Sequence, residues 1–123
     1  MTQKKIHRID RLQQLLQEEI SGILSRDIKD PRIKMMSITR VIVSKDLSLA
    51  KVYFSTFKEE DGEETLAGLE SSSGFIFHLL MKRLTLKTIP HIKFIIDTSI
   101  KYARYMEDKM KEIIKDEKDD KQD

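Results

Sequence analysis

Nine cations carry the chemistry this chain can do: Arg8 and Arg11, Arg32 and Lys34, Arg40 and Lys45, and Lys82, Arg83 and Lys87. Their types and spacing suit phosphate. A polyanion is gripped by several cations on one face, because each contact releases a counterion. Arg8 and Arg11 lie three apart and project from one side of a helix. Arg32 and Lys34 occupy alternate positions at the entry to a strand. Arg40 and Lys45, with Lys51, belong to a hairpin. Lys82, Arg83 and Lys87 close a helix, where cations also complement the macrodipole. A plain solvated face is the competing reading for any one of them. The set says more, because residues 71–105 hold six bases against Asp97 alone.

Catalysis has little support. His7, His78 and His91 are scattered without metal-ligand spacing. There is no His-Glu-x-x-His, no phosphate-cradling glycine loop and no Gly-x-Ser-x-Gly. With no cysteine, a thiol nucleophile, a disulfide scaffold and a Cys-type zinc site are excluded. Asp97 ends an apolar strand and reads as a strand terminator or helix cap. His78 reads as a surface or boundary residue. The expectation is a non-enzyme without metal or cofactor. Tyr53, Phe54 and Phe57 could stack on bases, but they read better as core.

The elements that must position the cations follow from periodicity. Ile9, Leu12, Leu16, Ile20, Ile23 and Leu24 predict an amphipathic helix over 6–26. Pro31 ends that run. The β-branched "MMSITRVIVS" predicts a strand, "KDLS" a turn and "LAKVYFSTF" an antiparallel partner, with Ala50, Val52 and Phe54 on one face. "KEEDGEE" (58–64) reads as a solvated loop. Helical spacing resumes from Leu66 to Leu84 and breaks at Pro90. "HIKFIID" (91–97) alternates as a third strand. "TSIKYARYMEDKMKEII" predicts a C-terminal helix, and the apolar-free "KDEKDDKQD" a disordered tail.

The order is α-β-β-α-β-α: an α+β layer with a three-stranded sheet packed on helices. It makes one domain over 1–114 and a charged tail over 115–123. The net charge of +2 hides an uneven distribution. Residues 1–58 carry twelve Lys/Arg against six Asp/Glu, 59–70 carry six acids and no base, and 106–123 carry eight acids against five bases. Such blocks point to a polyanionic partner. No apolar run suits a signal peptide or a membrane span, so a cytoplasmic protein is expected.

Together "RIDRLQQLLQEEISGIL", "KDPRI", "ITRVIVSKDLSLAKVYFS", "LESSSGFIFHLLMKRLTLKTIPHIKF" and "DTS" resemble the ribosome-binding factor A family over residues 6–105. The resemblance implies a type II KH-like fold in which a helix–kink–helix element replaces the glycine loop of KH domains. Glycines occur here only at 22, 62, 68 and 74, so no Gly-x-x-Gly loop exists. The family's kink motif, Ala-x-Gly, matches Ser72, Ser73 and Gly74. Phe77 stands where the family commonly has arginine, and Lys87 replaces another arginine, keeping the charge without the planar fork. The resemblance further implies binding to the immature small ribosomal subunit through 16S rRNA, late rRNA folding and 5′-end processing. It also implies a role in growth at low temperature and release by a ribosome-associated GTPase. A monomer is expected. The alternative is a protein-interaction module using the apolar helix 75–84.

The serines and glycine at 71–74 first suggest a linker. Yet Leu66, Leu69, Ser73, Ile76, Leu80 and Leu84 keep helical phase through them. The expectation is therefore one helix interrupted and bent at Ser72–Gly74, close to a phosphate or a neighbouring strand.

Overall fold

The computed structural model describes residues 2–98, 107–108 and 110–112. The expected C-terminal helix falls largely outside the described residues, and the expected tail entirely so. Helix α1 spans Thr2–Arg26 and begins earlier than its apolar stripe. It buries Leu16, Ile20 and Ile23, with Ile9, Leu12 and Leu24 packed beside them.

Strand β1 (Met36–Val43) pairs antiparallel with β2 (Leu49–Thr56), and β2 pairs parallel with β3 (His91–Ile96), giving the order β1-β2-β3. The parallel pair needs a long crossover. Helix α2 (Gly62–Arg83) supplies it. Val41, Val43, Ala50, Val52, Phe54 and Phe94 face the helices and are buried, as the alternation predicts. The fold is thus α+β, with the expected three-stranded sheet packed on helices, and the sheet is mixed.

Strand β1 is an edge, and α1 satisfies part of it. The Val43 N–H donates to Gln13 Oε1 at 3.0 Å, and Gln17 Nε2 donates to the Ile38 carbonyl at 3.3 Å. These bonds blunt a template for strand addition. They also set the direction of α1, whose N-terminal half lies at the hairpin end of the sheet.

Residues 58–64 differ from the expected loop. Glu59–Asp61 form a 3-10 turn and α2 starts at Gly62. Glu63 and Glu64 fall in the first turn and Lys82 and Arg83 in the last, the arrangement the helix dipole favours. Thr65, fully buried, accepts the Lys34 N–H at 3.3 Å and anchors that first turn.

The expected interruption of α2 is absent. Helical structure runs unbroken from Gly62 to Arg83. Burial of Leu69, Ile76 and Leu80 on either side outweighs the roughly 1 kcal/mol that a glycine costs in a helix. Ser73 Oγ donates back to the Glu70 carbonyl at 2.8 Å, a habit of serine that bends helices without breaking them. The close approach expected at Gly74 is also absent, since nothing lies within 4 Å of where its Cβ would stand. The crowded glycine is Gly68, whose Cβ would come within 2.8 Å of Ile33 Cγ1. Gly68 therefore lets the "PRI" segment lie against α2.

Candidate nucleic-acid interface

At the hairpin end, Ser44–Ser48 turn the chain without a glycine. Leu47 adopts φ 62°, which costs a side-chain-bearing residue energy. Asp46 offsets that cost. Its Oδ1 accepts from the Ser44 hydroxyl, the Ser48 hydroxyl and the Ser48 N–H at 2.7, 2.7 and 3.1 Å. These bonds, led by the Ser44 hydroxyl, hold the Asp46 carboxyl down at about 2. Lys45 is thereby fixed on a stiff, exposed turn.

Three other segments arrive at the same end. Gln13 bonds to Val43, so the preceding turns of α1 bring Arg8 and Arg11 beside the hairpin. The His91 N–H donates to the Ser48 carbonyl at 3.0 Å, tying the start of β3 to the turn. Phe77 of α2 stacks on the His91 ring, with centroids 5.5 Å apart and planes at 11°. Lys82, just beyond, and Lys87, in the connection to β3, therefore lie there too. Phe77 thus joins α2 to β3. Arg8, Arg11, Lys45, Lys82 and Lys87 are all exposed, and among the described residues none has an ion-pair partner. Among the described residues the acids beside these cations are Asp10, the hydrogen-bonded Asp46 and Asp27, which Arg83, next to Lys82, engages.

The other predicted cations are engaged. Arg32 makes a two-pronged pair with Asp30, at 2.7 and 3.1 Å, and its hydrogen bonds lower the Asp30 carboxyl to about 2. Lys34 Nζ lies 3.9 Å from Glu64, and Arg83 lies 3.0 Å from Asp27. Arg40 lies over the Tyr53 ring, 4.1 Å from its centroid, with Nε 3.8 Å from Asp97. The kink residues stand apart from the hairpin end: Ser72 lines an open groove with Phe75 and the segment 27–32.

Sequence reading missed several features. Phe57 is 68% exposed, not core, because it follows β2 and lies beyond the helices. Lys93 joins Lys51 on the open sheet face, a pairing that only the register reveals. Asp97 is buried, accepts the Thr39 hydroxyl and continues the ladder through its N–H to the Phe54 carbonyl, so strand termination fits it. Among the described residues no group of three His, Cys, Asp or Glu could hold a metal. No described helix is long and apolar enough to cross a membrane.

The architecture defines a small α+β protein in which five of the nine predicted cations, drawn from four segments, lie toward the hairpin end without an ion-pair partner among the described residues. The chain belongs to the ribosome-binding factor A family, whose model matches residues 8–110. It is 44% identical over 119 residues to ribosome-binding factor A of Caldanaerobacter subterraneus subsp. tengcongensis, covering 95% of this chain and 98% of that one. It is 39% identical over 117 residues to the Shewanella loihica protein, covering 94% and 84%. The crystal structure of ribosome-binding factor A from Thermus thermophilus superposes with a TM-score of 0.63 at 25% identity, covering 72% of this chain and 94% of that one. A homology model of the Thermus thermophilus factor, fitted into a cryo-EM map of its 30S complex, gives 0.60 at 25% identity, covering 72% and 93%.

Proposed function

We propose that this protein is an assembly factor that binds the free, immature 30S subunit through 16S rRNA. In this reading it promotes late rRNA folding and 5′-end processing, acts in the cytoplasm as a single-domain monomer and supports growth in the cold. It leaves with the help of a ribosome-associated GTPase and cleaves nothing itself. One observation carries the reading: five cations from four segments lie toward one end of the molecule without acidic partners among the described residues. Unpaired cations release counterions fully on meeting phosphate, whereas paired ones must first surrender a carboxylate. Family membership and the Thermus factor fitted into its 30S complex support the same partner.

The test is sedimentation with free small subunits. The protein should co-sediment with them and be released by salt. Lys82→Glu with Lys87→Glu should weaken binding by about a hundredfold near physiological salt. Migration with complete ribosomes only, or an unaffected double variant, contradicts the reading. Exposed Phe75 (49%) and Met81 (57%) on α2 favour the second reading, a protein-docking helix. Under that reading the same charge changes barely matter.

A further inference from the structure

The face of the sheet turned away from α1 and α2 has its own chemistry. Strand register places Ile42, Lys51 and Lys93 in one row and Arg40, Tyr53 and Ile95 in the next. Arg40, Lys51 and Lys93 are exposed, and the acid beside these rows among the described residues, Asp97, is buried against Arg40. An open face this basic is unusual for a sheet that only needs solubility, because mixed signs serve that purpose better.

Arg40 is the distinctive member. A bulge at Thr39 shifts the register between Ile38 and Arg40 and re-aims the strand. The guanidinium then lies on Tyr53, with its carbon 4.1 Å from the ring centroid. Asp97 Oδ2, 3.8 Å from Nε and itself held by the Thr39 hydroxyl, restrains it from the side. The side chain stays about half exposed, at 52%. A guanidinium seated over a ring beneath leaves its outer side to a planar partner. RNA bases stack on arginine planes in this way.

We infer that the open sheet face is a second RNA-contacting surface: Arg40, clamped between Tyr53 and Asp97, stacks an unpaired base, while Lys51 and Lys93 hold the flanking phosphates. The occupant is single-stranded RNA, chosen by charge and by the planar plate together. The inference rests on the RNA-binding reading above but uses none of its five cations, so the two surfaces can fail separately.

A fluorescently labelled single-stranded decaribonucleotide of mixed sequence, titrated with the full chain at several salt concentrations, tests it. Lys51→Gln with Lys93→Gln should make the log–log salt slope shallower by about 1.4, roughly 0.7 per lost phosphate contact on a single strand. Arg40→Lys keeps the charge and removes the plane, so it should cost at least about fivefold in affinity with little change in slope. Thermal melting of each variant separates these losses from unfolding. Unchanged affinity and slope in folded variants overturn the inference, even where Lys82 and Lys87 variants lose small-subunit binding. Failure of the unaltered chain to bind the oligonucleotide overturns it too, and leaves sedimentation to decide the proposed function. Protection of Lys51 and Lys93 from amine acetylation without RNA overturns it by assigning the face to another occupant, such as the chain's own acidic end.

Discussion

The two ends of the sheet hold the same kinds of residue and use them in opposite ways. At the hairpin end, Arg8, Arg11, Lys45, Lys82 and Lys87 have no acidic partner among the described residues, and Asp46 is consumed by the turn. At the far end, five acids between Glu59 and Glu64 crowd the entry to α2, and Lys34 and Arg32 are engaged with Glu64 and Asp30. A cation count along the sequence ranks Arg32 and Lys45 as equals. Their neighbours separate them: one closes a local ion pair, the other is pushed into solvent on a stiffened turn. Among the predicted cations, those at the far end are paired and those at the hairpin end are free to meet a polyanion, although Arg26, Lys29 and Lys58, which were not among the predicted set, are exposed near the far end.

That contrast can be broken by damage at each end. The largest effect on stability is expected at Gly68, beside the far end. A Cβ there would meet Ile33 Cγ1 at 2.8 Å and Arg32 Cβ at 3.2 Å. Overpacking of about 1–3 kcal/mol should exceed the roughly 1 kcal/mol that alanine gains in a helix. Gly68→Ala should therefore lower the melting temperature, with subunit binding per folded molecule unchanged. Gly74→Ala, facing open space, should raise it by up to about 1 kcal/mol of stability. Equal effects at the two glycines would sink the packing account, and lost binding in the stable Gly74 variant would make Gly74 part of the interface.

A smaller effect concerns Asp46. Its carboxyl is held at about 2 in the folded protein, below the ordinary 3.8. A depressed folded value stabilises the fold above the unfolded value, and the contribution is lost as pH falls through the folded one. The turn should hold at pH 5 and loosen between about pH 4 and 2. Carboxyl NMR should show Asp46 titrating near the low end of that window. An ordinary midpoint would mean that Asp46 is free to screen Lys45, and the hairpin end would lose part of its character.

Much of the frame was legible in the sequence. The stripe Leu16, Ile20 and Ile23, the alternation through Val41, Val52 and Phe94, and the breaks at Pro31 and Pro90 are local patterns that burial imposes directly. Helical phase also showed that Ser71–Gly74 are no linker. The unbroken course of α2 was not legible, because a glycine's cost is read locally while the burial that offsets it comes from across the core. The early start of α2 was missed for the same reason: Thr65 and Gly62 are fixed by Lys34 and Ile96, far away in sequence. The candidate cations were legible as a set. Which of them are spent on Asp30, Asp27 and Glu64 was not, since Arg83 and Asp27 meet only in the fold.

The central claim is that the hairpin end, and not the far end, faces the small subunit. Acetylation of lysines in the free protein and in its complex with free small subunits, read residue by residue by mass spectrometry, tests it most directly. The account predicts that Lys45, Lys82 and Lys87 react in the free protein and are protected in the complex, while Lys34 and Lys58 react alike in both. Protection of Lys34 and Lys58 with Lys45, Lys82 and Lys87 still reactive would contradict it.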